Sequence, residues 1–218
     1  MQRKTIPLIG AMLAALAAIG LAALVVWNQL SGGSDGVARG DGETLVAPGL
    51  EVGGAFELTN HKGETVTQDT FQGQFLLVYF GYSSCPDVCP TELSSMAAAI
   101  DILAERDPEA AEKVTPVLIT IDPARDTVDV LKDYAPAFHP RLVGLTGSDE
   151  AIEAVARKFR VYYGRGQQID DEFYLMNHSG YVYLMGPDGG FVTMFNGGTA
   201  PESIANALQR YVAAAKTS

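Results

Sequence analysis

The hydrophobic pattern changes period several times along the chain, and each change marks an element. Ile6 to Trp27 is a continuous, mostly apolar run with no charged residue. As a helix it is long enough to cross the roughly 30 Å hydrocarbon core of a bilayer. Arg3 and Lys4 precede it, and no Lys or Arg follows until Arg39. The positive-inside rule then predicts a cytoplasmic N-terminus, with the rest of the chain outside and Trp27 at the outer interface. The competing reading is a cleaved signal peptide. The run exceeds the ~7–15 apolar residues of such a peptide, so residues 1–30 are read as an uncleaved transmembrane anchor. Residues 31–44, rich in Gly, Ser and Asp, read as a flexible linker. Residues 45–218 are left as one folded domain.

Within that domain Phe56–Thr59 and Glu64–Thr67 read as two short strands around the turn Asn60-His61-Lys62-Gly63. Phe75–Phe80 and Val117–Ile121 are continuous apolar runs, the pattern of strands buried on both faces. Leu93, Met96, Ala97 and Ile100 fall on one face of a helix, as do Ile152, Val155, Ala156 and Phe159. Val128–Phe138 reads as a helix capped by Thr127, and Leu142–Leu145 as a short strand. Tyr181–Met185 and Phe191–Phe195 flank Pro187-Asp188-Gly189-Gly190 and predict a hairpin. A closing helix starts at Thr199-Ala200-Pro201-Glu202, which has capping-box spacing, and carries Ile204, Leu208, Tyr211 and Val212 on one face. Strands alternating with helices, followed by a hairpin, predict an α/β layer with a mixed sheet.

Composition narrows the function. The net charge is -11, and such a surface repels phosphate backbones, so nucleic acid is not an expected partner. The chain has two cysteines, Cys85 and Cys89, at the junction of a predicted strand and helix. One close pair points to redox or metal chemistry rather than a disulfide framework. The position narrows the fold to a thioredoxin-like one, a central mixed sheet flanked by helices. If the stretch opens the helix, the two thiols share a face, and the helix N-terminus favours thiolate. Thiolates are soft ligands that select Cu(I) or Zn(II). A closed zinc site usually has four protein ligands, whereas a Cys-Cys-His set suits three-coordinate Cu(I). A plain disulfide over so short a loop removes little chain entropy. Of the three histidines, His61 lies in a polar turn and His139 reads as an exposed loop residue. His178 enters a core strand and is the candidate third ligand.

The segment from Tyr79 to Pro90, YFGYSSCPDVCP, closely resembles the signature of the Sco/SenC family of copper proteins. The resemblance continues through Ile119–Thr127, Leu142–Gly147, Asn177-His178-Ser179 and Tyr183–Gly189. It implies a thioredoxin-like fold on a membrane anchor, with copper bound by Cys85, Cys89 and His178. It also implies a role in maturing the binuclear copper (CuA) centre of cytochrome c oxidase subunit II. A second periplasmic copper chaperone is the other partner expected. In a bacterium the domain would sit in the periplasm on the inner membrane. Where many members carry Asp before the metal-binding His, this chain has Asn177, and their Asp-Tyr pair is Phe173-Tyr174 here. Asp122 and Arg125-Asp126 form a charged cluster after a core strand and read as an internal ion pair and a helix cap.

Three functions compete. A metallochaperone would bind and hand over copper, and is not an enzyme. A thiol–disulfide oxidoreductase would use Cys85 and Cys89 to reduce a target cysteine pair, without needing His178. A redox or copper sensor would act through partners.

Overall fold

A computed structural model of the chain describes residues 42–44, 51–170 and 173–216. The expected anchor and most of the linker lie outside the described residues. Among the described residues no helix is long and apolar enough to cross a membrane.

Among the described residues ten strands are formed: β1 Glu43–Thr44, β2 Glu57–Asn60, β3 Thr65–Thr67, β4 Phe75–Gly81, β5 Val114–Thr120, β6 Val143–Thr146, β7 Tyr163–Gln168, β8 Tyr174–His178, β9 Val182–Met185 and β10 Phe191–Phe195. Five α-helices join them: α1 Val88–Arg106, α2 Pro108–Glu112, α3 Val128–Phe138, α4 Asp149–Lys158 and α5 Pro201–Ala215. Eight strands make one sheet in the order β1-β10-β9-β4-β5-β6-β2-β3, and β7 pairs with β8 in a separate ribbon. β4, β5 and β6 run parallel. β9 runs antiparallel to β4, and β2 antiparallel to β6. This is the mixed, thioredoxin-like sheet expected from the sequence.

Every residue of β4 is buried, because helices cover both faces of the sheet. Alternation along the strand sends Leu77 and Tyr79 one way and Val78 and Phe80 the other. Phe80 meets Phe159, just past α4, at a ring-centroid distance of 5.2 Å. Tyr79 turns instead towards α1. That helix buries Cys89, Leu93, Met96, Ala97, Ile100 and Leu103 and packs against α5 and over β4 and β5. Each such large apolar side chain contributes about 1.5–3 kcal/mol through burial.

Several expectations need correction. Glu43 and Thr44, assigned to the linker, pair with Phe195 and Met194 at the sheet edge. Glu43 is buried there against Arg210, at 2.5 Å. The capping box of α5 does not form. Its N-cap is Ala200 without a side-chain bond, and the Thr199 hydroxyl donates to Asn196 O at 2.7 Å. Pro201 at the first helical position has no N–H to satisfy, which removes one need for a cap. His139 is buried, not exposed, and its Nδ1 accepts from Arg141 N at 3.1 Å. His61 sits in its predicted turn but is buried too, with Nδ1 accepting from Gly144 N at 3.1 Å. The other expected elements form within a residue or a few at their ends.

Candidate metal centre

The site is assembled from three places: the loop after β4, the first turn of α1, and the end of β8. Helix α1 begins at Val88 with Asp87 as N-cap, and the Asp87 side chain makes no capping bond. Cys85 therefore precedes the helix rather than sharing its first turn. Its sulfur takes over the capping role: Cys89 N–H donates to Cys85 Sγ at 3.4 Å. Free N–H groups at a helix start need such an acceptor. Burial raises the Cys85 thiol, but the N–H groups of Asp87 and Cys89, together with the Cys89 thiol and the Tyr82 hydroxyl, outweigh it and leave its pKa below the ordinary value. Cys89 behaves oppositely. Burial, the dominant cause, pushes its thiol up to about 12. The expected stabilisation of thiolate by the helix start is thus found at Cys85 and overridden at Cys89.

The loop that carries Cys85 is tied down by a carboxylate. Asp126 Oδ2 accepts from Ser83 N at 3.0 Å, and its Oδ1 accepts from Ser83 Oγ at 2.5 Å. Thr120 Oγ1, at the end of β5, donates to the same carboxylate at 2.7 Å. Asp126 is therefore a loop anchor, while the N-cap of α3 is Thr127. The expected internal ion pair is present between Asp122 and Arg125, at 2.5 Å.

His178 ends β8, and its ribbon is pinned to the same platform. Tyr174 Oη donates to Asp122 Oδ1 at 2.8 Å, and the Arg125 guanidinium lies 3.7 Å from the Tyr174 ring centre. Met176 N donates to Tyr82 Oη at 3.1 Å. Strand alternation puts Tyr174, Met176 and His178 on one face. Asn177 points its amide over Gly166, while the residue still borders the cleft beside Cys85 and His178. His178 Nδ1 lies 3.0 Å from the carbonyl of Ser179. Donation there fixes the proton on Nδ1 and leaves Nε2 as a lone-pair donor. Burial lowers the His178 pKa, which keeps the ring neutral and ready to ligate.

The outcome is a convergent donor set. Cys85 Sγ, Cys89 Sγ and a His178 ring nitrogen lie within 4.8 Å of one another, with Cys89 Sγ 3.6 Å from His178 Nε2. Both cysteines are free. His61 and His139 bond elsewhere and take no part. A cleft of about 340 Å³ opens beside Cys85 and His178 and is also lined by Pro86, Val88, Leu175 and Met176. Two sulfurs and one neutral imidazole nitrogen, with one side open, fit a soft three-coordinate ion.

Tyr79, Tyr82, Tyr174 and Asp126 were not singled out from the sequence for their parts in this site. Tyr79 and Tyr82 entered only as letters of the Tyr79–Pro90 motif and Tyr174 only within Phe173-Tyr174, and the need of each buried hydroxyl for a partner is the signal that could have marked them.

Comparison with known proteins places this geometry. A family model described as SCO1/SenC matches residues 46–213. Protein sco1 of Schizosaccharomyces pombe is 44% identical over 163 residues, covering 74% of this chain and 61% of that protein. The chain thus spans about three fifths of that relative's length. Arabidopsis thaliana ScoI with copper bound superposes with a TM-score of 0.70 at 40% identity, covering 75% of this chain and 99% of that one. Bradyrhizobium japonicum ScoI with copper bound gives 0.66 at 39% identity, covering 73% and 99%. The chain belongs to the SCO1/SenC family.

Proposed function

We propose that this protein is a copper metallochaperone that holds one copper ion between Cys85, Cys89 and His178 and passes it to the CuA centre of cytochrome c oxidase subunit II. The observation that carries the reading is the donor set itself, three soft or borderline ligand atoms within 4.8 Å of one another. Membership of a family whose similar structures contain copper supports the choice of ion. The subunit II target rests on the resemblance read from the sequence.

The open side supports transfer by ligand exchange. Cys85 is partly exposed at the cleft, and Val88 beside it is 47% exposed, which gives an incoming protein thiolate an apolar approach. Target cysteines would replace the three ligands one at a time, so that copper is never free. The N-terminal anchor, taken with the positive-inside reading, would hold this surface outside the inner membrane beside a membrane-bound oxidase. The test is to mix the copper-loaded chain with the copper-free CuA domain of subunit II. Copper should move, read as the copper content of each protein after the two are separated. A domain that acquires no copper while the donor keeps its own would refute the transfer.

One observation favours a second reading. Cys85 combines exposure with a lowered pKa, the properties of an attacking thiolate. Reduction of the target's cysteine pair before metallation would use them. That role requires the cysteines and dispenses with His178, so the His178→Ala variant separates the two.

A further inference from the structure

Tyr79 is 0% exposed. Among the described residues its hydroxyl is one of few buried polar groups that make no hydrogen bond of ordinary geometry, and the polar group beside it is the Cys89 thiol. A Cβ added at Gly81 would lie 2.6 Å from Tyr79 Cε1 and 3.1 Å from Cys89 Sγ, so the ring and the thiol meet over that glycine. The ring also stands edge-on to the His178 imidazole, with centroids 6.0 Å apart and planes at 75°. The phenol therefore sits beneath two of the three donors, cut off from water.

An orphaned buried hydroxyl is destabilising. A phenylalanine, such as the neighbouring Phe80, would fill the strand position without that cost. A thiol is a weak acceptor. A metal-bound thiolate is a charged one, and hydrogen bonds to charged groups are the stronger kind.

We propose that Tyr79 is a positioning residue of the copper site, its O–H donating to the Cys89 thiolate when copper is bound and so favouring Cu(I) over Cu(II). Hydrogen bonding at a cysteine sulfur draws charge from the metal–sulfur bond, and this tunes the potential of copper–thiolate sites. The proposal rests on copper being held by Cys85, Cys89 and His178.

The test compares the full chain with its Tyr79→Phe variant, and with site-specific incorporation at position 79 of a ring-fluorinated tyrosine, a stronger donor. Each is loaded with one copper. The readouts are the sulfur-to-Cu(II) charge-transfer band, the Cu(II)/Cu(I) potential and the apo melting temperature. Tyr79→Phe should retain one copper and melt no lower. Its Cu(I)-to-Cu(II) affinity ratio should fall about tenfold, equivalent to about 59 mV for one electron, and the band should move to lower energy. Fluorination should move both readouts the opposite way. Bands and potentials equal to wild type in both variants, at full copper loading, would overturn the role of Tyr79 while leaving the copper site standing. Failure of the wild-type chain to bind copper would overturn both.

Discussion

At the scale of single residues the site depends on where each side chain is aimed. Gly81 is one example, since any side chain there would strike the Tyr79 ring at 2.6 Å. Gly81→Ala should weaken copper binding at least tenfold and destabilise the fold by about 1–3 kcal/mol, as overpacking does. Chelator competition and denaturant unfolding measure the two effects. Asn177 gives the opposite forecast. Its amide lies over Gly166, so Asn177→Asp should alter copper affinity less than about threefold in the same competition assay. The sequence marked Cys85, Cys89 and His178, because few side chains bind soft metals. It did not reveal that the two thiols differ. Their separation comes from burial of Cys89 and from N–H groups aimed at Cys85, and neither is written in the local sequence.

Among the elements, β4, β5, α1 and α3 were legible because their apolar periods are long and clean. The ribbon β7–β8 was not. Tyr163–Gln168 reads YGRGQQ, with no apolar alternation to announce a strand, and it forms because β8 gives it a partner. The ribbon packs Tyr163 and Met176 against the core and is tied to it by hydrogen bonds, chiefly Tyr174 on Asp122 and Met176 N on Tyr82. A hydrogen bond to a charged group contributes about 1.5–3 kcal/mol. Tyr174→Phe should therefore speed hydrogen exchange at the amides of Met176 and His178 and lower copper affinity about three- to tenfold. Exchange in β4 should stay unchanged. Slow exchange in β8 of the variant would mean that other contacts hold His178.

For the molecule as a whole, the sheet order buries His61 and so gives it a part in the response to pH. Burial, and then the charge of Lys62, lower the pKa of His61 in the folded protein. Its Nδ1 must also stay unprotonated to accept from Gly144 N. The unfolded chain takes up that proton near pH 6.5 and so binds more protons below it. Stability should thus be complete above about pH 6.5 and fall as pH drops through it, by at most about 1.4 kcal/mol per pH unit for each such histidine. His61→Gln should flatten the slope of denaturant-derived stability between pH 7 and 5 relative to wild type. An unchanged slope would place the dependence elsewhere. His61 sits in a turn by sequence, and its burial arises only when β2 pairs with β6. Long-range pairing of this kind is what a local reading of the chain misses.

The central claim is that Cys85, Cys89 and His178 form one copper site. The most direct measurement is copper stoichiometry and Cu(I) affinity of the reduced full chain under a competing chelator, beside its His178→Ala variant. The account predicts one tightly bound copper per wild-type chain, and affinity reduced at least a hundredfold without the imidazole. No tight copper in the wild type, or equal affinity in the two proteins, would contradict it.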